Sequence, residues 1–154
     1  MEKKAHTLKN TVIITTLKKI LFLGNTVDGS IHDYKLLKYE LDVTQDLFKK
    51  TKVYVDLGYF GMEKDYLSSS SIFIPHKKPR KSKNNPNTSL TKQQKEENKI
   101  LSKTRVFVEH VIGGMKVFRC LSDRFRNHIK LLEDIFIGIS AAIWNFKITM
   151  NSIT

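Results

Sequence analysis

The stretch Lys103 to Phe118, KTRVFVEHVIGGMKVF, constrains the fold more than any other part of this chain. At helical spacing, Val108, Val111, Ile112 and Met115 line up as one apolar stripe suited to packing on a core. The adjoining face carries Glu109, with Arg105 at i−4, Gly113 at i+4 and Lys116 at i+7. An acid between two cations, beside a glycine that projects no side chain, leaves room for a bulky partner. An Arg–Glu pair at this spacing is also ordinary surface decoration, so the strip alone does not decide between the two readings.

The cleanest strand is Lys52 to Asp56, KVYVD, in which Val53 and Val55 face one way and Tyr54 and Asp56 the other. It ends in an acid, after which Leu57-Gly58-Tyr59-Phe60-Gly61 places two glycines around an aromatic pair and lets the backbone approach closely. Ligand chemistry in open sheets gathers beyond the carboxyl ends of strands, where Asp56 lies; an Asp there is equally a cap. Upstream, Thr11–Thr15 and Lys19–Leu23 are β-branched and apolar runs that predict two antiparallel strands. Asn25–Ser30 is turn chemistry around Asp28-Gly29. Ser30 caps a helix expected from Ile31, with Asp33 in its first turn. A helix is expected from about Thr91 through Phe118, capped by Ser89 or Thr91. The last helix is expected over about Asn127–Ile148, with Trp144 as a core anchor.

Between these elements the chain changes character. Residues 68–91 hold SSSS, HKKPRKSK, NNPNTS and all three prolines, and read as a loop or partly disordered basic insertion. From His76 to Arg105 there are ten Lys or Arg and two Glu, so this segment carries most of the net charge of +12. Such a balance favours a polyanionic partner, nucleic acid first and an acidic membrane surface second. Lys77, Lys78, Arg80 and Lys81 are the candidate phosphate contacts, joined by Arg124 and Arg126 in the polar break SDRFR.

At 154 residues the chain is long enough for one domain with a core. A single cysteine, Cys120, rules out an internal disulfide framework and a cysteine-based zinc site; its apolar surroundings predict a buried, inert thiol. The segment Leu131–Phe146 is interrupted by Glu133, Asp134 and Asn145, short of the ~20 apolar residues a membrane span needs. No export signal is convincing, and a cytoplasmic, nucleoid-associated protein is expected. No zinc spacing, Walker loop or serine nucleophile elbow occurs. Two separated carboxylates with concentrated basic charge between them suit metal-assisted phosphodiester chemistry, in which Mg²⁺ takes oxygen ligands.

The segments HTLKN (6–10), VDGSIHD (27–33), VYVDLGYFG (53–61) and RVFVEHVIGGMKVFRCLSDRFRN (105–127), taken in order, resemble bacterial insertion-sequence transposases of the DDE superfamily. The similarity is closest to the DDE superfamily endonuclease group of the insertion-sequence-five type. The resemblance implies an α/β, ribonuclease H-like core (a mixed sheet flanked by helices), Mg²⁺ or Mn²⁺, and DNA cleavage followed by strand transfer at transposon ends. It places the family's second catalytic acid on Asp56 and its third on Glu109, both as metal ligands. Arg105 and Lys116 match basic positions facing DNA or the acid, and His32-Asp33 matches a His-Asp pair expected to cap and orient the first helix. The family's first catalytic Asp lies on an opening strand, ahead of the HTLKN-like motif. Only five residues precede His6 here, and none is Asp. The expectation is therefore a truncated catalytic domain over residues 1–154, lacking its first strand and inactive alone. The alternative is a remnant that binds DNA, or binds full-length transposase or itself, without catalysis.

Overall fold

The computed structural model describes residues 7–45, 48–66, 71–81, 88–123, 129 and 131–152. Among these residues the architecture is mixed α/β, with four α-helices and pairing confined to three two-stranded sheets. The chain divides into two compact units. One joins Met1–His32 to Val106–Thr154; the other is the continuous run Asp33–Arg105.

In the first unit, β1 (Leu8–Lys9) pairs antiparallel with β4 (Val27–Asp28), and β2 (Val12–Ile14) pairs antiparallel with β3 (Ile20–Leu23). The β2–β3 hairpin is the expected one. Its register shifts between Ile13 and Ile14, and Lys18 takes a left-handed conformation at φ 63°. Glycine usually fills such a position, because a Cβ there crowds the following carbonyl. Lys18 is held in place from outside: its carbonyl accepts a 2.8 Å hydrogen bond from the Trp144 indole N–H.

Trp144 lies on α4 (Leu132–Asn151), where its expected role as core anchor is observed. With Ile20, Val111, Met115 and Ala141 it forms the buried core of this unit. Asn145, next along α4, accepts from the Ile20 N–H at 2.8 Å and donates to the Ile20 carbonyl at 2.9 Å, so its amide pairs like a strand residue. Near the start of α4, Asp134 accepts from the Thr26 N–H at 2.6 Å. Two of the polar residues that interrupt this apolar segment are thus its attachments to the strands.

The helix predicted around Glu109 is α3 (Lys92–Met115). Thr91 and Gln94 form a reciprocal cap: the Gln94 N–H donates to Thr91 Oγ1 at 3.2 Å, and the Thr91 N–H donates to Gln94 Oε1 at 3.0 Å. Val111 and Met115 are buried as the stripe predicts, with Val108 and Ile112 half-buried beside them. Gly114 permits the packing: a Cβ there would lie 1.9 Å from Trp144 Cζ3.

The second unit contains α1 (Asp33–Glu40), β5 (Val53–Tyr54), a 3-10 turn (Leu57–Tyr59), α2 (Met62–Asp65), β6 (Ile72–Phe73) and the first part of α3. Its core is Leu37, Phe48, Met62, Tyr66 and Ile72, with Met62 fully buried. β5 and β6 are parallel, pairing Val53 with Ile72 and Tyr54 with Phe73. The Val55 N–H extends the ladder by donating to the Phe73 carbonyl at 3.1 Å.

Five expectations need correction. Val27-Asp28 belongs to a strand before the chain reverses, because Thr7–Lys9 supplies a pairing edge: the Gly29 N–H donates to the Thr7 carbonyl at 2.7 Å. The first helix begins at Asp33 rather than Ile31, and α3 ends at Met115, so Phe118 lies beyond it. Ile72-Phe73 forms a strand inside the stretch read as loop, because β5 offers it a parallel partner. Cys120 is exposed, not buried: it lies on the 3-10 turn Arg119–Leu121, where Leu121 packs inward and the thiol does not. Among the described residues no helix is long and apolar enough to cross a membrane.

Candidate functional site

The residues singled out by sequence are divided between the two units. In the continuous unit, Asp56 comes just after β5 with extended backbone and caps the 3-10 turn. Its Oδ1 accepts from the Leu57 N–H at 2.7 Å. Asp56 is thus a cap, and its side chain remains about half exposed, at 48%. The Arg105 guanidinium lies 3.3 Å from the same Oδ1. Folding thus brings together the strand-end acid and the basic residue one helical turn before Glu109 on α3. Both partners are well exposed, so water screens the pair and its own contribution is about 0–1 kcal/mol.

The turn behind Asp56 is fixed from α1. Gly58 has no Cβ, and one built there would lie 2.6 Å from Asp33 Oδ2. The glycine lets Asp33, in the first turn of α1, close against the loop that holds Asp56. Next along, Tyr59 is packed so that burial pushes its phenol up to about 12, with the charges of Asp33, Glu40 and Asp56 adding to the shift. At the end of α2, Asp65 receives Lys38 and the Tyr34 hydroxyl from α1, which together hold its carboxyl below the usual range.

The basic run starts from a fixed point. His76 is clamped by Asn98 of α3, which accepts from its N–H at 2.7 Å and donates to its carbonyl at 3.1 Å. The His76 ring meets Glu97 at 2.5 Å, and that contact, joined by one from Gln93, lowers the Glu97 carboxyl below its ordinary range. From this anchor Lys77, Lys78, Arg80 and Lys81 run on, all four exposed. Lys77 folds back so that its ammonium sits 5.5 Å from the centre of the Phe60 ring.

In the other unit Glu109 is exposed on α3, and Gly113 one turn later leaves open space where a side chain would stand. Lys116 lies just past the end of that helix, exposed, with its N–H on the Ile112 carbonyl at 3.0 Å. Arg124 and Arg126 lie outside the described residues, as does His6. The rest of the HTLKN segment is structural. Lys9 Nζ donates to the Ile31 carbonyl at 2.7 Å, and Asn10 donates to the Gly24 carbonyl at 3.0 Å and to Thr26 Oγ1 at 2.8 Å.

Sequence reasoning missed the Asn98 clamp, the Phe60–Lys77 contact and a stacked pair, Tyr54 and Phe73, with ring centres 5.1 Å apart. The alternation of KVYVD could have flagged Tyr54, since it puts that ring on the face of Asp56. Its partner Phe73 became visible only with the parallel pairing.

Comparison with known proteins gives this geometry a family. A family profile described as DDE superfamily endonuclease matches residues 1–145. A probable transposase for insertion sequence element IS702 from Microchaete diplosiphon is 33% identical over 148 residues. That alignment covers 96% of this chain and 49% of the relative, so the chain spans about half the length of the curated relative it matches. No solved structure matches. With the profile spanning nearly all of its residues, the chain belongs to the DDE superfamily endonuclease family.

Proposed function

We propose that this chain is part of a DNA transposase catalytic domain with a ribonuclease H-like arrangement, in which Asp56 and Glu109 are carboxylate ligands for Mg²⁺ or Mn²⁺. The single observation that carries the reading is the position of Asp56: half exposed, just past the carboxyl end of a parallel strand, and paired with Arg105 of the helix that bears Glu109. The family match supports it independently.

The donor chemistry fits a hard divalent cation. The Leu57 and Arg105 contacts of Asp56 both use Oδ1, and exposure leaves a carboxylate oxygen accessible from solvent. The bound ion would supply positive charge for attack on phosphorus by water and then by a DNA 3′-hydroxyl. The protein's own residues do the rest. Leu57 fixes the Asp56 carboxylate, Arg105 balances its charge, and Asp33 against Gly58 holds the loop in place. Lys77, Lys78, Arg80, Lys81 and Lys116 offer cations for the phosphate backbone of transposon-end DNA, with Arg105, Arg124 and Arg126 completing the proposed set. With Asp56 and Glu109 as the two family carboxylates identified out of three, these 154 residues alone are expected to cut little.

A second reading has its own support. The Asp56 oxygen engaged by Arg105 and by the Leu57 N–H is satisfied without metal, which suits a regulatory remnant that binds DNA or a transposase without catalysis. Two measurements separate the readings. Calorimetric Mn²⁺ binding that weakens in both Asp56→Ala and Glu109→Ala supports the metal site; salt-sensitive DNA binding with no Mn²⁺ heat supports the remnant. Robust Mg²⁺-dependent nicking of supercoiled DNA, abolished by Asp56→Ala, would overturn the expectation of inactivity.

A further inference from the structure

We propose that the stacked rings of Tyr54 and Phe73 form a platform for an unpaired DNA base beside Asp56. The inference rests on the DNA reading above and extends it to the state of the strand at the site.

Exposure is the first sign. Large aromatic side chains in a core-forming strand pair are normally covered, yet Tyr54 is 42% exposed and Phe73 36% exposed. Their rings stack at an interplanar angle of 20° with centres 5.1 Å apart, so the inner faces cover each other and the exposed area of the pair lies on its outer faces and edges. Burial alternates along Val53-Tyr54-Val55-Asp56, with the valines half-buried and Tyr54 and Asp56 exposed. Tyr54 and Asp56 therefore share a face, separated by roughly 6.5 Å along the strand. The chain leaving Phe73 reaches His76, pinned by Asn98, and then the basic run Lys77, Lys78, Arg80 and Lys81. A second exposed ring, Phe60 at 52%, lies under Lys77.

This combination selects one occupant. An apolar protein partner would be a poor match for rings that share a face with an acid and are followed, from four residues past Phe73, by four cations in five residues. A duplex has its base faces stacked internally and offers none to an aromatic ring. A single strand offers both a polyanionic backbone for the lysines and arginine and an open base face for the rings.

The test uses the whole 154-residue chain and two probes of identical sequence: a single-stranded oligonucleotide carrying 2-aminopurine, and its duplex. The expected result is quenching of 2-aminopurine by the wild-type protein. In Tyr54→Leu and Phe73→Leu, single-strand affinity falls about five- to tenfold with the quenching lost, duplex affinity stays unchanged, and Tyr54→Phe behaves as wild type. Leucine variants that bind the single strand as tightly, with quenching intact, would overturn the platform. Should they fail to fold by circular dichroism, the wild-type protein decides, since single-strand binding without quenching also overturns it. Charge reversal of Lys77, Lys78, Arg80 and Lys81 separates this idea from its foundation. Loss of duplex binding there, with unaffected leucine variants, retains the DNA reading and rejects the platform; duplex binding that survives reversal rejects these residues as DNA contacts.

Discussion

The two units solve the same problem, tying loose chain to a helix, at different sequence distances. In the discontinuous unit, Asn145 clamps Ile20 and Trp144 holds Lys18, across separations of 125 and 126 residues. In the continuous unit, Asn98 clamps His76 across 22 residues. Both clamps use an asparagine amide, whose donor and acceptor reproduce those of a peptide group. The cost of closing the chain grows only slowly with loop length, so stability differs less than the order of events. The local unit can form its contacts early. The discontinuous one gains its core only when α4 meets the hairpin.

Substitutions in each core test whether the units are independent. Met62→Ala deletes a fully buried side chain from the continuous unit, and a loss of about 2–5 kcal/mol is expected in urea unfolding. Hydrogen exchange should then rise at the Val55 amide and leave the Ile20 amide protected; equal loss at both would show one cooperative body. The converse experiment is Gly114→Ala, which drives a methyl into the Trp144 ring and should cost about 3 kcal/mol, exposing Ile20 first. Gly113→Ala meets no neighbour and should stabilise the helix by about 0.5–1 kcal/mol.

Removing the clamps compares them directly. Asn145→Ala leaves both polar groups of Ile20 without their partners at the edge of a core and is expected to cost about 2 kcal/mol. Asn98→Ala, beside a solvated basic run, should cost about 1 kcal/mol or less, and equal losses would contradict the idea that the long-range clamp is the more deeply committed one. One effect is confined to alkaline solution. Because the Tyr59 phenol is raised from 10.0 to about 12, it contributes stability that is full below pH 10 in the form of a neutral buried group and falls away once pH climbs past the unfolded value. The sign is that of a raised pKa: the unfolded chain loses its proton first, so the native state is penalised between about 10 and about 12. Tyr59→Phe should flatten that decline in unfolding curves taken between pH 9 and 12, while the discontinuous unit keeps its own alkaline behaviour.

Legibility in the sequence tracks the range of the interactions involved. The apolar stripe of α3, the Thr91 cap, the hairpin and the anchoring role of Trp144 depend on neighbours or on a single strong periodicity, and each was legible. Asp56 was legible as a strand-end acid because alternation in KVYVD needs no partner to be seen. Ile72-Phe73 was not, because a parallel pair is defined only by the other strand, and SSSS and HKKP on either side argued for a loop. Val27-Asp28 was hidden by the turn signal of Asp28-Gly29, and its two-residue partner lies far upstream. Cys120 has apolar neighbours in sequence, but it lies past the end of α3 and its thiol stays exposed, so those neighbours say nothing of burial. Asn145 counted as a flaw in an apolar run until its backbone partner appeared.

Gly113 and Gly114 are identical letters with opposite meanings. One faces open space and the other receives an indole ring. Inserting a single residue earlier in α3 would turn the remainder of the helix by about 100°, putting Gly113 under the Trp144 ring and Gly114 in the buried place of Met115. The sequence would still read GG and its composition and helix propensity would hardly change, yet His110 and Gly114 would stand where Val111 and Met115 fill the core. For anyone engineering this helix, length is therefore a stricter specification than chemistry: most letters can be rewritten, but none can be added.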